Sequence, residues 1–220
     1  MKPSTSKFIN EYATLFPNIF DGITNLGDLI KKLKKLKDKE YYNEYVGFCW
    51  EYVVAEYFKK FGDHDMVNVC EYRQTYAGSK GDDADYGVDG WGWDINGKKR
   101  IACQVKFRAN SQDNIAWDFE GKASLETFIR EIIRSISQED GRTHTTILLA
   151  TTTNEGIRQG MKSEMEKCQF SRFIANELKQ LNLDMSKLEF RVYNIDYWNN
   201  RLNNVRFWDH LRVRFSQATS

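Results

Sequence analysis

Proline is nearly missing from this chain. It occurs at Pro3 and Pro17 only, so from residue 18 onward no proline interrupts a helix or strand. Net charge is nearly missing too: 32 basic side chains stand against 31 acidic ones, a formal +1. That excludes a bulk polycation or polyanion. It does not exclude a local basic groove, because charge can segregate by face. No window approaches about 18 consecutive apolar residues, so no transmembrane helix is expected. The start, Met1-Lys2-Pro3-Ser4-Thr5-Ser6, has no apolar stretch of signal-peptide type behind it. The four cysteines, Cys49, Cys70, Cys103 and Cys168, include no CxxC pair, which argues against a zinc site. Cys49 and Cys103 sit inside apolar patterns and read as small buried hydrophobes. A reducing, cytoplasmic compartment is the expectation. His64, His144 and His210 show no ligand spacing, and no Walker-type loop, repeat or low-complexity tract occurs.

What is present describes a globular chain. Its 220 residues suit one domain with enough core to fold unaided. Apolar residues make up 41% and charged residues 29%, which excludes a wholly disordered or fibrous chain. Aromatics reach 14%, with six Trp and eleven Tyr. Rings among arginines and lysines can stack on nucleic acid. A ring-rich core is the ordinary alternative.

Periodicity predicts the elements. Leu26, Leu29, Ile30, Leu33 and Leu36 form one helical stripe, with lysines on the remaining face. That lysine face can touch phosphates or simply be solvated. Tyr45 to Phe61 predicts a helix with a wide apolar face, ending at Gly62. Glu51 lies on the margin of that face. Glu56, roughly 140° round from Glu51, is expected to face water. Strands are expected at Met66–Tyr72, around Gly87–Ile95 and at Arg100–Phe107. The polar run Gln74–Asp85 reads as a loop. Asn96-Gly97 between two alternating runs signals a hairpin. Ser124 can cap a helix carrying Phe128, Ile129, Ile132 and Ile133. TTILLAT at 145–151 suits a central strand covered on both faces. Helices near Ile157–Lys167 and Phe170–Leu181, a strand at Leu188–Ile195 and a helix from Asp196 complete the order. The expectation is an α/β fold, a mixed sheet flanked by helices.

One constellation carries chemistry. On the strand at 100–107, Ile101, Cys103, Val105 and Phe107 share one face, and Gln104 and Lys106 the other. The hairpin can bring Asp89, flanked by Gly87 and Gly90, beside Gln104. A hard cation such as magnesium takes oxygen ligands. Asp89 offers a carboxylate, Gln104 an amide oxygen and Val105 a main-chain carbonyl. Lys106 can hold the attacking water and offset charge on the transition state. Glu51 can assist or complete a second metal site. Spacing alone is weak evidence, since an Asp in a turn and a polar strand edge would look the same.

The order of motifs adds to it. Gly47-Phe48-Cys49-Trp50-Glu51 opens the set, followed by Gly87-Val88-Asp89-Gly90 and Cys103-Gln104-Val105-Lys106. Leu148-Leu149-Ala150-Thr151-Thr152 and Tyr193-Asn194-Ile195-Asp196 with Leu202 close it. This series resembles the Mrr-like, type IV-like branch of the PD-(D/E)xK nuclease superfamily, in its Gln-x-Lys variant, over roughly 45–205. The resemblance implies a restriction-endonuclease-like sheet of four to five strands. It also implies Mg2+ (with Mn2+ substituting) and DNA cleavage leaving 5′-phosphate. Asp89 and Gln104 then bind metal, Lys106 serves the water and Glu51 assists. It implies a homodimer, in the cytoplasm of a bacterial or phage-infected cell, and leaves a separate ATPase or specificity subunit open. Asp94 can compete with Asp89 as ligand. Residues 1–44 have no counterpart and read as an N-terminal helical extension to a nuclease domain at 45–220. A junction-resolvase-like structure-specific nuclease, or a silent DNA-binding module with this fold, are the alternatives. Late in the chain, Arg191, Arg201, Arg206, Arg212 and Arg214 lie among Tyr197, Trp198, Phe207 and Trp208. They either bind and stack on DNA or snorkel over a core. The balanced net charge then reflects opposed local fields, with weak, salt-sensitive binding to non-specific DNA.

Overall fold

The computed structural model describes residues 8, 12–62, 68–70, 88–93, 96, 98–113, 128–133, 144–154, 176, 179–180, 182 and 185–219. Its helices are α1 (Leu26–Lys34), α2 (Tyr42–Lys60), α3 (128–133), α4 (Ile195–Arg201) and α5 (Val205–Thr219). Its strands are β1 (Asn68–Cys70), β2 (Gly90–Trp93), β3 (Arg100–Lys106), β4 (Thr145–Thr151) and β5 (Leu188–Tyr193). The expected Gln74–Asp85 loop, the Ser124 cap, the helix near 157–167, most of the helix near 170–181, and Asp94, Cys70, Cys168 and His64 fall outside the described residues or their described side chains; residues 176, 179 and 180 are helical.

The five strands form one open mixed sheet in the order β1-β2-β3-β4-β5. β1, β2 and β3 run antiparallel, and β3, β4 and β5 run parallel. The chain is thus α/β with helices against a mixed sheet. The hairpin register pairs Trp93 with Arg100 and Gly90 with Cys103. It centres on Asn96-Gly97, but the connection spans 94–99 rather than those two residues alone. β4 is buried along its whole length, as its unbroken apolar run requires.

Helix ends follow local chemistry. Asn25 caps α1 by accepting the Asp28 N–H at 3.0 Å, and Asp28 accepts the Thr24 hydroxyl at 2.8 Å. Asn194 caps α4 through the N–H groups of Asp196 and Tyr197, both at 3.1 Å. Trp198 and Trp208 are fully buried, and their indole N–H groups are satisfied by the carbonyls of Tyr193 (2.8 Å) and Leu202 (2.7 Å).

One hydrophobic cluster holds α2, α4, α5 and one face of the sheet together. Trp50 packs edge-on to Trp198 at 5.3 Å. Phe8, Phe20, Tyr52 and Phe215 join it from both ends of the sequence. The described part of 1–44 therefore shares its core with the rest of the chain. The boundary expected at 44/45 falls within the first turn of α2.

Glu56 corrects the helix reading. It is 4% exposed rather than facing water. α2 is covered on more than one side, so its wheel has no wide solvent face. Among the described residues, no helix is long and apolar enough to cross a membrane.

Candidate active site

The site is built on β3. Ile101, Cys103, Val105 and Phe107 belong to the core cluster that includes α2. By strand alternation Ala102, Gln104 and Lys106 take the opposite face. Gln104, on a central strand paired on both sides, has 0% exposure, so its face of the sheet is covered too. Lys106, the last residue of the strand, is half-buried.

Asp89 immediately precedes β2. The antiparallel register, carried one step beyond Gly90–Cys103, sets it opposite Gln104. Two bonds fix it. Its N–H donates to the Cys103 carbonyl at 2.9 Å, and its Oδ2 accepts the Val105 N–H at 2.6 Å. The carboxylate therefore stands where the next main-chain acceptor of β2 would be, in the plane of the sheet. Within a strand, N–H and C=O of one residue point the same way, and successive residues alternate. The Val105 carbonyl is thus directed to the Asp89 edge. The Lys106 carbonyl goes the other way and accepts the Thr152 N–H at 3.3 Å.

Glu51 approaches from α2. Burial pushes the Cys103 thiol well above its ordinary value, and the charges of Asp89 and then Glu51 push it further. Both carboxylates therefore lie within electrostatic reach of Cys103. Gln104 and Lys106 come from the other face, and Asp89, in the sheet plane, stands between the two halves. The sequence missed Cys103 as a group that feels both carboxylates, although its face was readable from alternation. It also missed the lock at the C-terminal end of β3. There the Thr152 hydroxyl accepts the Arg108 N–H at 2.7 Å and donates to the Arg108 carbonyl at 2.8 Å.

Gln104 is one of several buried polar side chains without a hydrogen-bond partner among the described residues; the Tyr45 hydroxyl, the Trp50 indole N–H and the Thr145 hydroxyl are others. Neither its Oε1 nor its Nε2 finds a hydrogen-bond partner among the described residues, although both are buried. A buried amide without a partner costs about 1–3 kcal/mol. Among the described residues no three His, Cys, Asp or Glu side chains gather to hold a metal. Magnesium needs fewer: it is commonly bound through one or two carboxylates, with water completing the shell. Asp89, Glu51, the Val105 carbonyl and the Gln104 amide oxygen are all hard oxygen donors of the kind magnesium takes; the structure brings Asp89 and Val105 together at the β2–β3 edge, while Glu51 comes from the Cys103 face and Gln104 from the opposite one. Comparison with family models, with characterised proteins and with solved structures finds no match to this chain.

The late arginines and rings resolve differently from one another. Trp198, Phe207 and Trp208 are each 0% exposed, so they cannot stack on bases. Tyr197 is partly buried and stacks on Tyr193 at 3.7 Å. Arg191 pairs with Glu189 at 2.7 Å. Arg212 donates to the Ile23 carbonyl at 3.0 Å and pairs with Asp209. The snorkelling reading holds for Arg212 and for Arg201, whose guanidinium lies over the Tyr197 ring at 5.5 Å; Arg206 is exposed, and the exposed Arg214 lies 3.9 Å from the Glu56 carboxylate.

Proposed function

We propose that this chain is a magnesium-dependent DNA endonuclease with a restriction-endonuclease-like domain, related to the Mrr-like PD-(D/E)xK enzymes. The unpartnered, buried amide of Gln104 directly across the hairpin from Asp89 carries the reading. A buried polar group left unpaired calls for an explanation, and a bound ion is one that also accounts for Asp89 and the Val105 carbonyl beside it. Asp89, Gln104 and the Val105 carbonyl would hold the ion, with Glu51 as a further carboxylate. When bound, the ion neutralises phosphate charge and acidifies water. The chain's own groups do the rest. Lys106 offers an ammonium that orients the attacking water and offsets the charge growing on the phosphoryl oxygens. Water attack at phosphorus breaks the P–O3′ bond and leaves the 5′-phosphate.

Cleavage of supercoiled plasmid with Mg2+ or Mn2+ tests this. Wild type should nick or linearise it, while Asp89→Asn and Lys106→Ala should be inactive yet folded. Variants as active as wild type would end the assignment. One observation favours a second reading: the Asp89 carboxylate already serves the Val105 N–H, as a purely structural aspartate would. A catalytically silent DNA-binding module would retain DNA and give no metal-dependent heat in calorimetry. A junction-resolvase-like enzyme would instead prefer branched over linear DNA in a substrate panel.

A further inference from the structure

We propose that the outer surface where the end of α2 meets α4 and α5 is a track for the DNA phosphate backbone. It rests on the nuclease reading and adds to it a binding surface separate from the Asp89 edge. On α5, Arg206, His210 and Arg214 recur at i, i+4 and i+8 and form one stripe. Lys59 and Lys60, in the last turn of α2, are exposed beside it. Glu56 joins the two helices: its carboxylate lies 3.3 Å from His210 Nε2, 3.4 Å from Lys59 Nζ and 3.9 Å from Arg214 Nε. That carboxylate is only 6% exposed, whereas the Lys59 and Arg214 side chains are 51% and 56% exposed. The negative charge is therefore inside and the positive charges are outside.

The stripe leads into a cavity of ≈ 620 Å³ that Arg201, Arg206, Asn200, Asn203 and Asn204 line together with Phe61. Its polar groups are cationic or neutral. Asp196 and Asp209 are the only acids between residues 195 and 219, and Asp209 is paired with Arg212. Guanidinium and amide N–H groups around one polar hollow match phosphate oxygens. The Trp198 and Trp208 indoles are fully buried and offer bases no platform. It should position DNA without reading its sequence.

The test is binding of a random-sequence duplex in EDTA, where hydrolysis cannot intervene, over a salt series. Removing two phosphate contacts with Arg201→Ala plus Arg206→Ala should lower the slope of log K against log salt by about 1.8. Between about 50 and 200 mM salt, wild-type affinity should then fall about 12-fold more than the variant's. Arg206→Glu should bind more weakly still, and Arg206→Lys should recover most of the slope. Unchanged slopes in folded variants overturn the track while leaving the plasmid-cleavage result intact. Wild type that ignores DNA but binds polyglutamate through these arginines also overturns it. A charge-dependent slope in a protein that cleaves nothing would support the track and reject the nuclease reading.

Discussion

Replacing Gln104 with methionine should stabilise this protein. The amide is 0% exposed and makes no hydrogen bond among the described residues. Folding therefore strips it of water without return, at about 1–3 kcal/mol. Methionine has nearly the same length and volume and no amide to desolvate, so the cavity and packing terms stay small. For a chain of this size, 1 kcal/mol moves Tm by about 2–4 °C. Gln104→Met should therefore melt about 2–12 °C above wild type in EDTA, followed by circular dichroism. Gln104→Glu should do the reverse, because it buries a charge near Asp89. Magnesium should restore that variant through preferential binding to the folded state. A Gln104→Met protein that melts below wild type would refute the reasoning. It would mean the amide is already hydrogen-bonded without metal, and the argument that a ligand completes it would fall.

Other perturbations have equally definite signs. Asp89→Ala should lose about 1–3 kcal/mol in urea unfolding, because it strands the buried Val105 N–H, while Asp89→Asn keeps an acceptor and loses far less. Thr152→Val removes both bonds to the Arg108 main chain and should cost a comparable amount. Cys49 and Cys103 are held protonated by burial. Their raised folded pKa contributes stability that is complete below the unfolded thiol pKa and is lost as pH rises above it. Above about pH 8.5 each thiol should remove about 1.4 kcal/mol per pH unit. A Cys49→Ala variant should show a shallower alkaline decline in Tm, whatever its starting value.

The sequence reading worked where one structural rule acted alone. TTILLAT was legible because a strand buried on both faces needs no alternation, and β4 has the predicted bounds. The face of Gln104 and Lys106 was legible because side-chain alternation is strict. The centre of the β2–β3 hairpin was legible from Asn96-Gly97. Glu56 was misplaced because a helical wheel assumes one covered side, and α2 has several. Its covers, α5 and the N-terminal segment, are remote in sequence, and no local window contains them. The late tryptophans were ambiguous for the same reason. Only packing decides whether a ring beside an arginine faces DNA or core. The burial of Gln104 depends on whatever covers its face of the sheet and was not readable from Cys103-Gln104-Val105-Lys106 itself.

The aromatic knot of Phe8, Phe20, Tyr52 and Phe215 has a consequence for how the chain is made. The sheet can be laid down in the order of synthesis, because each strand lies beside the one before it. The knot cannot: Phe215 stacks on Phe8 at 5.7 Å and meets Phe20 edge-on at 5.0 Å. Phe8 and Phe20 are made about two hundred residues before the helix whose Phe215 packs on them. Until α5 is made, Phe8 and Phe20 have their α2 neighbours Tyr45 and Tyr52 but lack the Phe215 side of the knot, and a chaperone would find its handle there.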